Sequence, residues 1–235
     1  MVETVLGNKS QELLLEYAAG VLDDARRFMI DAHLRMNERC REDVELCEEI
    51  GGYLLSKDCE YAQMKETSRD RMMALLDECL DDRELDGSAH DNQCMQTVAL
   101  LKSMGISGEL IEHLERSCRV GCVPSNWSRL LNQKIRYLNI DAACEKSTIR
   151  LVRIAAGTHV PTHSHNGDEF TLILAGQMSD EFGHYNAGDL VIRRHGEIHT
   201  PQIGAAEDCV CLALTYHPVV MKKPVMRALN IFYRF

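Results

Sequence analysis

Three histidines and one glutamate stand at spacings suited to holding a divalent ion. In the run from Gly157 to Gly176, His163 and His165 are two residues apart, so on an extended strand their rings project from the same face. Asn166, Gly167 and Asp168 then make a turn that brings Glu169 back beside them. From Gly188 to His199 the chain again reads as a strand, a glycine turn and a histidine, and His199 completes a His/His/Glu/His set. A lone strand histidine is ordinarily a surface or satisfied core residue. Three with a carboxylate, and with glycines where sharp turns are needed, point instead to about one bound divalent ion. Imidazole and carboxylate together suit zinc, iron and manganese; only zinc gives a redox-silent centre, so zinc is the expected ion at His163, His165, Glu169 and His199.

Other reactive side chains carry weaker patterns. Cys209 and Cys211 alternate on a strand and so face one side, where buried thiols act as small hydrophobes. His33 and Cys40 share a helical stretch but are seven residues apart, about 10.5 Å along an unbroken helix at about 1.5 Å per residue. Asn37 lies between them, and an amide is a poor zinc ligand, so this segment should hold zinc weakly or not at all. His159 and His195 flank the quartet and are candidates for supporting its ligands.

The elements that must position these groups change character midway. From Ser10 to about Glu115 apolar residues recur at helical spacing, with Ser10 as an expected N-cap and a break near Asn37 in a helical run from about Asp23 to Leu55. Further helices are expected near 58–81, 89–103 and 107–117. Beyond Cys122 the texture is strand-like: Lys134 to Ile140, Ser147 to Ala155, Glu169 to Leu174, Asp189 to Arg193, Asp208 to Tyr216 and Leu229 to Phe235. Short strands at this interval suggest a small barrel or jelly roll. The fold class is therefore α+β, with a helical bundle over 1–118, a linker over 119–126 and a β domain over 127–235.

Charge divides at the same place. Residues 1–124 carry 26 acidic and 14 basic side chains, net −12, whereas 125–235 carry 10 and 12, net +2. An acidic helical half would repel phosphates, which argues against direct nucleic-acid binding, and suits docking onto a basic protein. No run approaches the roughly 18–20 apolar residues of a membrane span, and the N-terminus lacks a signal-like core. A cytoplasmic chain is expected, its 10 scattered cysteines reduced.

Two motifs resemble those of the cupin family, Gly-x5-His-x-His-x3-Glu-x6-Gly and Gly-x5-Pro-x-Gly-x2-His-x3-Asn. The first is matched at every defined position from Gly157 to Gly176; the second at Gly188, Gly196 and His199, with Arg194 for Pro and Ile203 for Asn. In the helical half, Leu14, Tyr17, Ala18, Ala19, Gly20 and Leu22, followed by His33, Asn37 and Cys40, resemble the N-terminal domain of zinc-binding anti-sigma factors, with Asn37 in place of the first motif cysteine. Together the halves are similar to ChrR-type anti-sigma factors over nearly the whole chain. That resemblance implies sequestration of an extracytoplasmic-function sigma factor by the helical domain. It further implies a zinc-binding cupin that senses an oxidative signal such as singlet oxygen and triggers release, in a protein that is not an enzyme. Two rivals stand beside it: a metal-dependent, dioxygenase-like cupin enzyme with a helical accessory domain, and a cupin serving only to form a homodimer.

Overall fold

The computed structural model describes residues 8–58, 65–81, 92–103, 105–117, 127–130, 133–140, 147–217 and 219–221. Among the described residues six helices precede the strands: α1 (Asn8–Ala18), α2 (Asp24–Leu34), α3 (Glu38–Asp58), α4 (Glu66–Asp81), α5 (Asn92–Ser103) and α6 (Gly108–Ser117). Ser10 lies inside α1 and not at its cap. The Tyr17-to-Gly20 signature ends that helix: Gly20, at φ 70°, turns its N–H onto the Tyr17 carbonyl at 2.9 Å, a left-handed conformation that costs a residue with Cβ more than glycine. Asp23 then caps α2, its carboxylate accepting from the Arg26 N–H at 2.9 Å. The expected break falls at Asn37, whose side-chain oxygen accepts from the Cys40 N–H at 3.1 Å and so caps α3.

Eleven short strands follow among the described residues. β1 (Ser128–Leu130), β2 (Ile135–Ile140), β3 (Thr148–Ile154), β5 (Glu169–Ala175), β8 (Leu190–Arg193) and β10 (Cys209–Thr215) form an antiparallel sheet in the order β1-β2-β3-β10-β5-β8. Facing it are β7-β6-β9, built from Gly183–Asn186, Gln177–Asp180 and Gln202–Ile203, and the pair β11-β4, built from Val219–Met221 and His163–His165. The expected strand over 229–235 and the linker over 119–126 lie outside the described residues.

Alternation along the long strands builds two cores. Ile135, Val152, Ile154, Ile173, Val191, Cys209 and Cys211 fill the space between the sheets, with Met178, Tyr185 and Ile203 from the smaller one. On the opposite face Leu138, Ile149, Leu151, Phe170, Leu172, Leu174, Val210, Leu212 and Leu214 are also buried, and what covers them is helical. Helix α2 lies against β10 and β5, and its Ala25, Phe28, Met29 and Ala32 join that same core, as do Leu110, Ile111 and Leu114 of α6. The β5 sequence Glu-Phe-Thr-Leu-Ile-Leu-Ala is apolar on both faces because both faces are covered.

The packing stops partway along α3. Val44 is its last buried residue, and beyond it Leu46, Ile50, Tyr53, Leu54 and Leu55 are more than half exposed. Helix α4 is exposed at every described side chain from Lys65 to Leu75, with Met72, Met73 and Leu75 among them.

Candidate metal centre

Strand pairing brings the four sequence-predicted residues together. His163 and His199 form a two-way backbone bridge, His163 N–H to His199 carbonyl at 3.1 Å and the reverse at 3.0 Å, which sets their side chains next to each other. His165 shares the face of His163 on β4, and Glu169 opens β5 after the Asn166–Asp168 turn. Arg194, in the position of the motif proline, braces the facing turn by an ion pair to Asp168 at 2.8 Å, and its own turn by donating its N–H to the Glu197 carboxylate at 3.0 Å. Ile203, in the position of the motif asparagine, is buried in the core between the sheets.

The ligating atoms converge. His199 Nε2 lies 2.9 Å from His163 Nε2 and 3.3 Å from His165 Nε2; Glu169 Oε2 lies 3.1 Å from His165 Nε2 and 3.6 Å from His199 Nε2. One atom from each of the four lies within 4.8 Å of all the others. A tetrahedral ion about 2.0–2.1 Å from nitrogen and oxygen ligands sets them about 3.3–3.4 Å apart, within the spread of those contacts. Three imidazole nitrogens and a carboxylate aimed at one point repel each other unless a cation or proton lies between them. The group is thus able to hold a divalent ion, and among the described residues it is the one such cluster.

Electrostatics keep it ready for a cation. Burial pushes His163 down to about 4, and neighbouring His199 adds to the shift, so the ring stays neutral with a lone pair to give. For Glu169, burial alone would raise the carboxyl; the His165 hydrogen bond and the three imidazoles outweigh it and hold the group at about 2.

Two of the three rings are held from behind. His163 Nδ1 donates to the Pro161 carbonyl at 2.7 Å, and His199 Nδ1 faces Asp180 Oδ2 at 3.3 Å. Such contacts fix a ligand's tautomer and aim. Asp180, its side chain fully buried, is itself clamped by Arg193 at 2.6 Å, by the Tyr185 hydroxyl at 2.9 Å and by the Phe182 N–H at 2.9 Å. Burial opposes its ionisation, but the His199 and Arg193 hydrogen bonds hold it well below the usual carboxylate range. Sequence reading passed over Asp180 because it is 19 residues from His199; only the pairing of β6 with β7 and β9 brings the two together. The flanking candidates His159 and His195 are exposed.

Cys209 and Cys211 point inward from β10 and are buried, and the Cys211 thiol is pushed well up by its hydrogen bond with Cys209 and by burial. Both belong to the core between the sheets. In the helical half, His33 and Cys40 belong to no group of three or more potential ligands among the described residues. The His33 ring is buried beside the Gly188 backbone, and Cys40 packs into the shared core, where burial raises its thiol.

Comparison with known proteins accounts for both halves. Residues 126–219 match the family model described as the ChrR cupin-like domain. The anti-sigma-E factor ChrR of Cereibacter sphaeroides is 29% identical over 231 residues, covering 98% of this chain and 99% of that protein. The crystal structure of Rhodobacter sphaeroides SigE in complex with the anti-sigma ChrR is matched at 29% identity and a TM-score of 0.63, over 87% of this chain and 96% of that one. A quartet at cupin spacing, a helical half ending α1 at the Gly20 signature, and a likeness that runs through both halves make this chain similar to the anti-sigma factor ChrR over nearly its whole length.

Proposed function

We propose that this chain is an anti-sigma factor that sequesters an extracytoplasmic-function sigma factor through the exposed apolar faces of α3 and α4. The observation that carries this is the stripe Leu46, Ile50, Tyr53 and Leu54, at helical spacing, with Met72, Met73 and Leu75 on α4. Two helices of an otherwise acidic half leave their apolar residues in solvent, a cost that burial against a partner removes. The similarity to a ChrR held in complex with SigE names the kind of partner. Among the described residues no helix is long and apolar enough to cross a membrane, in keeping with a cytoplasmic regulator that meets its sigma factor directly.

The second half of the proposal concerns the quartet. His163, His165, Glu169 and His199 ligate one zinc ion, which would brace β4, β5 and the His199 loop as a redox-silent crosslink. The cupin then serves as the receiver of an oxidative signal such as singlet oxygen, and the response is release of the sigma factor. On this reading the chain is a regulator and not an enzyme. In-vitro transcription with core polymerase and the cognate sigma factor tests it: adding the full chain should silence sigma-dependent initiation, and photosensitised singlet oxygen should restore it. Transcription that is indifferent to the chain refutes sequestration, and repression that withstands the oxidant refutes the sensing role.

A further inference from the structure

We propose that the cupin, and not a metal, fixes the corner between α2 and α3, and that this contact carries changes at the quartet to the docking face of α3. The regulatory part rests on the zinc and docking readings above; the contact itself does not.

Helix α2 is fastened to the cupin along its whole length. At its start the capping carboxylate of Asp23 accepts from the Tyr216 hydroxyl at 2.8 Å, and Arg26 Nε donates to the Tyr216 hydroxyl oxygen at 3.2 Å. Tyr216 directly follows β10. In its middle, the apolar face of α2 is part of the core over β10 and β5. At its end His33 is 1% exposed with its ring beside the Gly188 backbone, and a Cβ on Gly188 would lie 3.7 Å from the Met36 carbonyl. The turn between β7 and β8 therefore abuts the two residues that bracket the corner. His33 is the side chain that the sequence offered as a helical-half zinc ligand, and Asn37, offered as a lost one, caps α3. Among the described residues no group of three or more potential metal ligands includes the corner, and His33 Nδ1 is buried there without a hydrogen-bond partner.

The same turn is tied to the quartet by backbone. Gly188 N–H donates to the Ile173 carbonyl at 2.8 Å, and Ile173 N–H donates to Asp189 at 3.0 Å, four residues along β5 from Glu169. On that strand Glu169 faces the other ligands, while adjacent Phe170 lies in the core shared with α2. β8 leaves the turn and pairs Arg193 with Glu169; Arg193 also holds Asp180 behind His199. A quartet that loses its ion relaxes two strands that both end on the seat of His33, and α3 starts five residues beyond His33.

Hydrogen–deuterium exchange read by mass spectrometry on the full chain tests this, with metal content measured on the same samples. Chelation of the zinc-loaded protein should speed exchange over residues 24–47 by roughly tenfold or more, leaving the already exposed α4 unchanged. His33→Leu should speed the same segment in zinc-loaded protein while the cupin keeps its zinc; Tyr216→Phe, a milder change, should act at the start of α2. Zinc should measure about one per chain and be retained in Cys40→Ser. Exchange over 24–47 that ignores both His33→Leu and Tyr216→Phe overturns the contact, and a second zinc lost in Cys40→Ser overturns the metal-free corner. If the purified chain takes up no zinc, the quartet reading fails and the two variants still decide the contact. If zinc binds and its removal leaves 24–47 unchanged, the coupling fails and the quartet reading stands.

Discussion

At the scale of single residues, the quartet was legible and its support was not. His163, His165, Glu169 and His199 announce themselves because metal chemistry restricts residue type and strand geometry restricts spacing. Asp180 carries no such mark: a polar residue near a hairpin is ordinary, and its role exists only once β6 is folded against the His199 loop. Asp180→Asn should weaken zinc binding by about 10–100-fold, measured by competition with a chromophoric chelator. The same change leaves Arg193 buried without its carboxylate, a loss of about 3–5 kcal/mol for such pairs, so the melting temperature should fall as well. Unchanged zinc affinity in a folded variant would show that His199 needs no carboxylate behind it. Acid should act through the ligands too. In chelator, His163 is neutral in the folded chain down to about 4 but takes a proton near 6.5 when unfolded. The unfolded state then binds more protons, so this contribution is whole above about pH 6.5 and is lost as pH falls towards 4, with Glu169 extending the loss to about 2. Urea midpoints at pH 7.5 and 5 should show the lower value at pH 5; equal midpoints would mean that His163 is not held neutral.

At the scale of elements, legibility followed length and periodicity. The helices of the first half and strands such as 135–140, 148–154, 169–175 and 209–215 stand out because they are long enough to show a period. Strands of two to four residues, β4, β6, β7 and β9, are too short for alternation to register, although β4 carries two of the four candidate ligands. Position-specific glycines fared better, since motif and backbone agree. A Cβ on Gly176 would sit 2.3 Å from the Asp208 carbonyl oxygen, at φ 75°, whereas one on Gly157, at φ 67°, would meet nothing within 4 Å. Gly157→Ala should therefore cost only about 1 kcal/mol of backbone strain, and Gly176→Ala should cost several times more because β5 and β10 must part. Thermal denaturation of the two variants checks the order, and equal losses would mean that the close approach to Asp208 relaxes freely.

At the scale of the whole molecule, the sequence divides cleanly by charge and texture, and that division hides the shared core. Composition cannot show that α2 turns its apolar face to the cupin sheet, because the amphipathic pattern is the same whichever partner covers it. The pattern also cannot say which apolar stripe stays uncovered; the structure leaves α3 beyond Val44 and α4 to solvent. The central claim is that this uncovered face seizes a sigma factor. Isothermal titration of the cognate sigma factor into the full chain, wild type against Ile50→Glu with Leu54→Glu, tests it most directly. Both residues are more than half exposed, so the fold and zinc content should be unchanged. A stable one-to-one complex weakened about 100-fold or more by the pair of changes, roughly 2.7 kcal/mol, is the predicted result. Full-strength binding by the double variant, or no complex with the wild type, would contradict it.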